Sequence, residues 1–432
     1  MSNDWLEKNS IYRYAWKDGL DIFYSPIARR YVVATDKQFM AFVSERRYLD
    51  VFMALADYVP ISLQSKVKYP SDYTLLTVLP NNVCNFSCNY CYSAAGRNGS
   101  FLSESQLRAA IDYFIKSKPE GFLRPLTVSY MGGGEPMLSW PLVCKGVVYA
   151  KEQAASRGLH LHHRIITNGS ILDQSFLSFF KEHKIDVSVS FEILRDIQNL
   201  QRKNFEVVDG NIRKLIENGI NVQINATITP ANVERMSEMI KCLLSDYSQV
   251  KSVMFEPVIG QQLFPTPDDM KRFYEIYTNQ FMACLRCADE NNVRLTSFAY
   301  LRTIFPLERA CPGELCVTAD GQFTGCYCIS SPREALFNQA RYGMVDEDNN
   351  VRFDMDRYEK LKAHNVYKRA ECLSCKVKWN CGGGCFYQYA SYDEAYRHEV
   401  CKFTRSFIKN VLCYKVEQRM PDNASCPILL NE

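Results

Sequence analysis

The chain has 432 residues, of which 47% are hydrophobic and 18 are cysteine, and its formal net charge is only +3. This length predicts two or three domains with a large core, and the even spread of 51 basic and 48 acidic residues argues against a nucleic-acid partner. Neither a membrane-spanning apolar run nor an export signal is visible, so we expect a cytoplasmic protein without a membrane partner, whose cysteines bind metal rather than form disulfides.

Residues 1–73 contain no cysteine and are predicted to form a separate accessory unit. Two extended segments, Leu20–Tyr24 and Tyr31–Ala34, are predicted to form an exposed strand pair, and a helix is predicted from Asp36 to about Tyr58. The unit either has a binding role of its own or only caps the domain that follows.

Strand and helix patterns alternate over residues 74–300. Six repeats of this kind predict parallel strands connected by right-handed crossovers, and therefore an α/β fold with a partial (β/α)6, TIM-like barrel. The strands are predicted at Leu75–Leu79, Leu126–Tyr130, Leu161–Ile166, Asp186–Phe191, Asn221–Ile228 and Ser252–Pro257. The helices are predicted to start near Ser103, Ser139, Asp173, Phe205, Ala231 and Asp268.

Cys84, Cys88 and Cys91 follow the first strand with C-x3-C-x2-C spacing. With this cysteine content, about 0.03 such triplets are expected by chance in one chain. Three thiolates on a four-iron cluster leave one iron without a protein ligand, and that iron can bind a cofactor directly. A zinc knuckle is the structural alternative, but a fourth cysteine or histidine at suitable spacing is missing nearby.

Residues 301–432 are rich in cysteine, glycine and turn residues, so we expect a metal-dependent domain that ends in an amphipathic helix and a polar end. Its main motif has C-x2-C-x5-C-x3-C spacing, with further cysteines on both sides. A pair of zinc sites is the alternative, because zinc and iron both accept four thiolates. The cysteines are Cys311, Cys316, Cys326, Cys328, Cys372, Cys375, Cys381, Cys385 and Cys401.

Taken together, these motifs resemble those of radical S-adenosylmethionine (SAM) enzymes with a C-terminal SPASM domain, from about Tyr73 to Cys401. The resemblance implies that Cys84, Cys88 and Cys91 bind a 4Fe-4S cluster, whose open iron binds SAM. Reductive cleavage of SAM then gives a 5′-deoxyadenosyl radical that abstracts hydrogen from the substrate.

The resemblance also implies a set of SAM-binding residues. Glycines after a strand allow close approach of a ligand to the main chain, and a carboxylate beside them can bind an amino group. One departure from the family pattern lies after the fourth strand, where Ser190-Phe191-Glu192-Ile193-Leu194 lacks the usual glycine and proline. The implied residues are Tyr90, Gly132, Gly133, Gly134, Glu135, Asn168, Ser188, Ser190 and Arg202.

Two auxiliary 4Fe-4S clusters are implied as well, which makes three clusters in all. The first would be bound by Cys311, Cys326 and Cys385 with Cys316 as the favoured fourth ligand, for which Cys328 competes. The second would be bound by Cys372, Cys375, Cys381 and Cys401.

These features favour a maturase that abstracts hydrogen from a ribosomally made peptide and installs a thioether, C–C or C–O crosslink or another oxidative modification. The accessory unit could then bind a precursor peptide by strand addition, and an external flavodoxin or ferredoxin would supply electrons. The alternatives are a protein-directed maturase, such as one that forms formylglycine in a sulfatase, and an iron–sulfur electron carrier without radical chemistry.

No general acid or base is identifiable from the sequence. The remaining cysteines and the histidines are interpreted as structural, because they lack patterned partners. They include Cys144, Cys242, Cys284, Cys287, Cys413, Cys426, His160, His162 and His163.

Overall fold

A computed structural model gives the structure of the protein and describes residues 6–7, 10–44, 67–304, 306–311, 313–420 and 428–431. The N-terminal part contains three antiparallel strands, β1 (Tyr12–Ala15), β2 (Asp21–Ser25) and β3 (Arg30–Ala34), followed by helix α1 (Asp36–Ser44). The predicted strand pair is therefore present. The predicted continuation of the helix to Tyr58 lies outside the described residues.

Seven parallel strands connected by helices form the central sheet, one more than the six strands that the sequence predicts. The strands are β4 (Leu75–Val78), β5 (Leu126–Tyr130), β6 (Leu161–Thr167), β7 (Asp186–Ser190), β8 (Val222–Ile228), β9 (Ser252–Pro257) and β10 (Arg294–Thr296). The helices are α2 (Glu104–Lys116), α3 (Trp140–Ala155), α4 (Gln174–His183), α5 (Arg195–Gln201), α6 (Phe205–Glu217), α7 (Met236–Asp246) and α8 (Pro267–Glu290).

Capping side chains account for several of the helix starts. The Ser103 side chain accepts a hydrogen bond from the Gln106 N–H at the start of α2, and Asp173 accepts from two backbone N–H groups at the start of α4. These bonds satisfy donors that the first helical turn leaves without partners. The two residues named in the sequence prediction are thus the N-caps of their helices.

The C-terminal part extends the same sheet, which the sequence did not predict. Strand β11 pairs parallel with β4, and β12, β13 and β14 follow as antiparallel strands. The strands are β11 (Leu315–Val317), β12 (Gln322–Thr324), β13 (Arg341–Val345) and β14 (Val351–Phe353). The helices are α9 (Phe298–Leu301), α10 (Phe337–Ala340), α11 (Met355–Lys362), α12 (Ala370–Leu373), α13 (Lys378–Cys381), α14 (Phe386–Ser391) and α15 (Glu394–Arg419).

The last described segment, β15 (Ile428–Asn431), pairs antiparallel with β3 and completes a second sheet of order β1-β2-β3-β15. Two expectations are therefore corrected. The polar end of the chain contains a strand, and the predicted N-terminal strand pair is not exposed, since β2 is wholly buried and β3 is buried except at Arg30.

The second sheet packs against the cysteine-rich region. Its apolar residues form a cluster with residues of α15 and with Val377 and Trp379. The Trp379 Nε1–H donates to Ser10 Oγ at 3.0 Å, and Asn380 Nδ2 donates to the Tyr24 hydroxyl at 3.1 Å. The accessory unit is thus attached beside the C-terminal cysteine motif.

Among the described helices, none is long and apolar enough to cross a membrane.

Candidate active site

The first cysteine motif lies on the loop after β4, at the carboxyl end of the parallel strands, where α/β folds bind ligands. Its three cysteines are half-buried and line a cleft with about 1040 Å³ of empty space. All but one of the predicted SAM-binding residues line the same cleft. They are Tyr90, Gly132, Gly133, Gly134, Glu135, Asn168, Ser190 and Arg202.

Ser188 is the exception. It lies two residues before Ser190 on β7, is 3% exposed and does not line the cleft. The alternation of side chains along a strand places both serines on one face, but only Ser190 reaches the end of the sheet.

The glycine loop after β5 packs directly on the start of the cysteine loop. The Gly134 N–H donates to the Asn81 carbonyl at 2.9 Å, and the Glu135 N–H donates to the Val83 carbonyl at 2.8 Å. A Cβ atom at Gly134 would collide with the Val83 carbonyl oxygen, and one at Gly133, where φ is +81°, would lie 2.6 Å from Asn82 Oδ1. Glycine is therefore required here for the contact between the two loops as well as for access to a ligand.

Glu135 connects the glycine loop to the end of β6. Its carboxylate accepts hydrogen bonds from Thr167 Oγ1 at 2.5 Å, from the Asn168 N–H at 2.7 Å and from the Met137 N–H at 3.1 Å. Burial raises the pKa of Glu135, and these three donors act in the opposite direction. A carboxylate has about four acceptor positions, so it retains capacity for one more donor from a ligand.

A buried network lies at the other side of the cleft. Arg202 Nη1 donates to the Tyr90 hydroxyl at 2.7 Å, the Tyr90 hydroxyl donates to Glu192, and Glu192 Oε2 accepts from the Thr227 N–H at 3.0 Å. Burial raises the pKa of Glu192 to about 7, although Arg202 opposes the shift. Glu192 belongs to the segment that departs from the family pattern, and Ile193 after it has a φ of +65°. The altered loop thus supplies a carboxylate that holds Tyr90 and Arg202 in place.

This cleft fits a 4Fe-4S cluster with bound SAM. Three thiols converge at one wall, with Asn168 Nδ2 at 4.0 Å from Cys84 Sγ and Arg97 Nη2 at 3.7 Å from Cys91 Sγ. The Arg202 side chain is buried, and its Nε has no hydrogen-bond partner among the described residues. An unpaired guanidinium N–H at such a place is suited to a carboxylate.

A second cavity, with about 980 Å³ of empty space, is lined by Cys311, Cys326, Cys328 and Cys385. The thiols of Cys311 and Cys385 are hydrogen-bonded to each other, and so are those of Cys326 and Cys328. Four thiols around one cavity are the number that a closed cluster needs.

Cys316 does not line this cavity. It lies on β11 opposite Thr77 of β4, is 0% exposed and packs against Leu79 and Met131. Its thiol is hydrogen-bonded to Thr324. Cys328, rather than the favoured Cys316, therefore lies beside Cys311, Cys326 and Cys385 around this cavity.

A third cavity, with about 620 Å³ of empty space, brings together the four cysteines expected to bind the second auxiliary cluster. It is lined by Cys372, Cys375, Cys381 and Cys401, and by the basic residues Arg302, Arg369 and Arg405.

Three consecutive glycines with positive φ, Gly382 to Gly384, connect this cavity to Cys385 of the second one. A Cβ at Gly382 would lie 2.6 Å from the Ala310 backbone nitrogen. The chain can turn this tightly between two cysteines only where side chains are absent.

The first two cavities share a wall that contains Glu256, Phe298, Tyr327 and Cys328. Glu256 is the next-to-last residue of β9, and its Oε2 accepts a hydrogen bond from the Phe298 N–H at 2.7 Å. Burial raises the pKa of Glu256 to about 7. Glu256 was not identified from the sequence, although a carboxylate at the carboxyl end of a parallel strand is a usable signal for a functional group.

Within the described ranges, the other cysteines and the histidines do not line these cavities. Cys284 is buried within α8, as expected, while Cys144, Cys242, Cys287 and Cys413 are half-buried and Cys426 lies outside the described residues. His163 is buried, whereas His160 and His162 are exposed. In the described ranges, no group of three or more His, Cys, Asp or Glu residues is arranged to hold a single metal ion.

Comparison with known proteins agrees with the motifs. Residues 78–243 match the family model described as the radical SAM superfamily. The serine-type anaerobic sulfatase-maturating enzyme of Klebsiella aerogenes is 23% identical over 354 residues, which are 75% of this chain and 82% of the relative. The cysteine-type enzyme of Clostridium perfringens is 27% identical over 135 residues, or 30% of this chain and 36% of the relative.

Two solved structures have a similar fold. Native anSMEcpe with bound AdoMet and a peptide superposes with a TM-score of 0.63 at 18% identity, over 80% of this chain and 99% of the other. Streptococcus suis SuiB bound to precursor peptide SuiA gives a TM-score of 0.53 at 13% identity, over 81% of this chain and 79% of the other.

Proposed function

Since the chain is a radical SAM enzyme, with the superfamily's domain at residues 78–243, we propose that it matures a ribosomally made peptide by oxidative crosslinking or another side-chain oxidation. When bound, SAM on its 4Fe-4S cluster supplies a carbon radical that abstracts hydrogen from the substrate. The residues of the first cleft bind and orient this cofactor: Cys84, Cys88 and Cys91 at the metal, and Arg202 at the carboxylate of SAM.

The remaining contacts divide between the two ends of SAM. Glu135 retains acceptor capacity for the amino group, and Tyr90, held by Arg202 and Glu192, borders the adenosine side of the cleft. Asn168 and Ser190 supply polar groups from the ends of neighbouring strands. Ser188 lies within β7 and does not line the cleft.

Two auxiliary clusters complete the proposal. The first is bound by Cys311, Cys326, Cys328 and Cys385, and the second by Cys372, Cys375, Cys381 and Cys401. Both would be coordinatively closed, which suits electron transfer better than substrate binding. An external flavodoxin or ferredoxin is the proposed electron donor.

The wall shared by the first two cavities is the observation that carries this proposal. A substrate side chain near Glu256 and Phe298 lies between the SAM cleft and a cavity lined by four cysteines. Forming a new bond after hydrogen abstraction requires the substrate to lose a further electron and a proton. Tyr327 and Cys328 at this wall lie beside the first auxiliary cluster, which would accept the electron. Glu256 would accept the proton.

The accessory sheet favours a peptide as the substrate of this enzyme. The match to anSMEcpe covers 99% of that chain but 80% of this one, so this chain has residues without a counterpart there. An antiparallel sheet attached beside the cysteine motif can bind an extended peptide through its backbone groups.

The test is coexpression of the enzyme with candidate precursor peptides, followed by mass spectrometry of the peptide and measurement of 5′-deoxyadenosine under anaerobic, reducing conditions. We expect a loss of two hydrogens or an equivalent oxidation in the peptide. Deoxyadenosine with intact clusters separates this function from that of an electron carrier, which would produce none.

Formylglycine formation in a sulfatase is the second candidate, favoured by the sulfatase-maturating relative that the chain matches over 82% of its length. A peptide containing the modified serine or cysteine of a sulfatase distinguishes the two candidates. Its conversion to an aldehyde, without modification of precursor peptides, would replace the first proposal by the second.

A further inference from the structure

The β3 edge of the accessory sheet is covered by the last described segment of the chain itself. Strands β1, β2 and β3 are neighbours in sequence, whereas β15 reaches the sheet from beyond α15. In the antiparallel register, Ile428 lies opposite Val33 and Leu429 opposite Val32. The pairing is thus a short extended peptide bound to a sheet edge, which is the geometry of strand addition.

The side chains of Ile428 and Leu429 contribute little to this contact. Tyr31, Val32 and Val33 of β3 are 0% exposed, while Leu429 is 37% exposed and Ile428 is only partly buried. Affinity at a sheet edge then comes mainly from backbone hydrogen bonds, which any extended peptide can supply.

We propose that β15 is a displaceable strand that occupies the docking edge of β3 and is exchanged for an extended segment of the peptide substrate. This inference rests on the proposed function, in which the substrate is a peptide. The incoming segment runs antiparallel to β3 and places two consecutive apolar side chains, one on each face of the sheet, at the positions now held by Ile428 and Leu429. Exchange also keeps the edge covered when substrate is absent, which protects it from pairing with other chains.

The location of the accessory sheet would bring a peptide bound at the β3 edge close to the cysteine-rich region. The face of β3 that carries Tyr31 and Val33 belongs to the apolar cluster that includes Val377 and Trp379, near Cys372, Cys375 and Cys381. A peptide bound at this edge is therefore tethered beside the cysteine-rich region, which raises its local concentration at the enzyme.

Binding of a peptide with the tail's own sequence tests the inference. The probe is a fluorescent peptide of residues 421–432 carrying Cys426→Ser, and the proteins are the reconstituted full-length enzyme and a variant that ends at Met420. We expect saturable binding to the shortened variant and binding at least about tenfold weaker to the full-length enzyme, because the tethered tail competes at high effective concentration.

Two further variants keep the test decisive if the shortened chain folds poorly. Full-length enzyme with both Leu429→Pro and Leu430→Pro loses the tail's backbone donors and should bind the probe like the shortened variant. Leu429→Ala changes only an exposed side chain and should behave like the unmodified enzyme. Equal binding to full-length and released forms, or no binding to either released form, would overturn the inference.

The readout is independent of catalysis, since it needs neither SAM nor a reductant. Failure of the proposed function would appear as unmodified peptide with probe binding intact. Failure of this inference would appear as absent or tail-independent probe binding with peptide modification intact.

Discussion

Glu256 Oε2 accepts a hydrogen bond from the Phe298 backbone N–H at 2.7 Å, on the wall between the cleft of the first cysteine motif and the second cavity. The bond fixes one carboxylate oxygen at the N-terminus of α9, where Ser297 is the N-cap. Burial brings the pKa of this group to about 7. A held carboxyl with a pKa near the working pH is well suited to accept a substrate proton.

Glu256→Gln should reduce peptide modification by about 100-fold or more, because glutamine keeps the acceptor for the Phe298 N–H but cannot take up a proton. Formation of 5′-deoxyadenosine should continue, since the SAM-binding residues are unchanged. Both products are measured in the same reaction. Glu290→Gln, on the exposed end of α8, is the matched control, and an equal loss in both variants would contradict the role of Glu256.

The pH profile gives a second measurement on Glu256. Its carboxyl becomes a base as the pH rises through about 7, so the rate of peptide modification should increase over that interval in the unmodified enzyme. In Glu256→Gln this rising limb should disappear. A profile of the same shape in both proteins would assign the proton to another group.

Cys328 and Cys316 can be separated by iron analysis. Cys328→Ala should lower the iron content or change the signal of one auxiliary cluster, because Cys328 lines the cavity with three other cysteines. Cys316→Ala should leave iron at the level of the unmodified enzyme, about twelve per chain for three clusters. It should cost only stability, since Cys316 is 0% exposed. The opposite pattern would restore Cys316 as the ligand.

Arg202→Lys should weaken SAM binding about tenfold or more while the iron content stays unchanged. The ammonium group of lysine is a compact charge. The Arg202 guanidinium donates a hydrogen bond to the Tyr90 hydroxyl and still has an Nε–H without a partner among the described residues. Equilibrium binding of SAM to the reconstituted enzyme measures the effect. Arg213→Lys, an exposed residue of α6 paired with Asp209, should bind SAM normally.

Much of the parallel sheet could be predicted because its signals are local. Each parallel strand is a short apolar run followed by a helix. The start of a helix can be recognised from the residue type of its N-cap, as at Ser103 and Asp173. The cysteine spacing likewise indicated the groups that the structure brings together around the cleft and the third cavity.

The parts that could not be predicted depend on distant pairing. Strands β11 and β12 have three residues each, too few for a period to be visible, and β11 is defined by its pairing with β4, more than 200 residues earlier. Whether Cys316 or Cys328 reaches the cavity depends on which face of β11 meets the core. The strand β15 is likewise recognisable only from its pairing with β3.

His163 offers a test of stability against pH. It is 2% exposed, neither ring nitrogen has a hydrogen-bond partner among the described residues, and burial lowers its pKa to about 3. The nearby groups, Lys151, His162 and His183, also disfavour its protonation. The unfolded chain, with an ordinary histidine pKa near 6.5, binds a proton that the folded state does not, so stability is lost as the pH falls below about 6.5.

His163→Phe removes this proton linkage and keeps a ring beside Tyr130. We therefore expect the variant to gain stability over the unmodified enzyme at low pH. The difference in free energy of unfolding, variant minus unmodified enzyme, should be about 2 kcal/mol larger at pH 5 than at pH 7.5. Denaturant unfolding of the reconstituted proteins at the two pH values measures this difference. His162→Phe, at an exposed position on the same strand, is the control and should show no such pH-dependent gain. A pH-independent effect of His163→Phe would mean that His163 binds a proton in the folded protein.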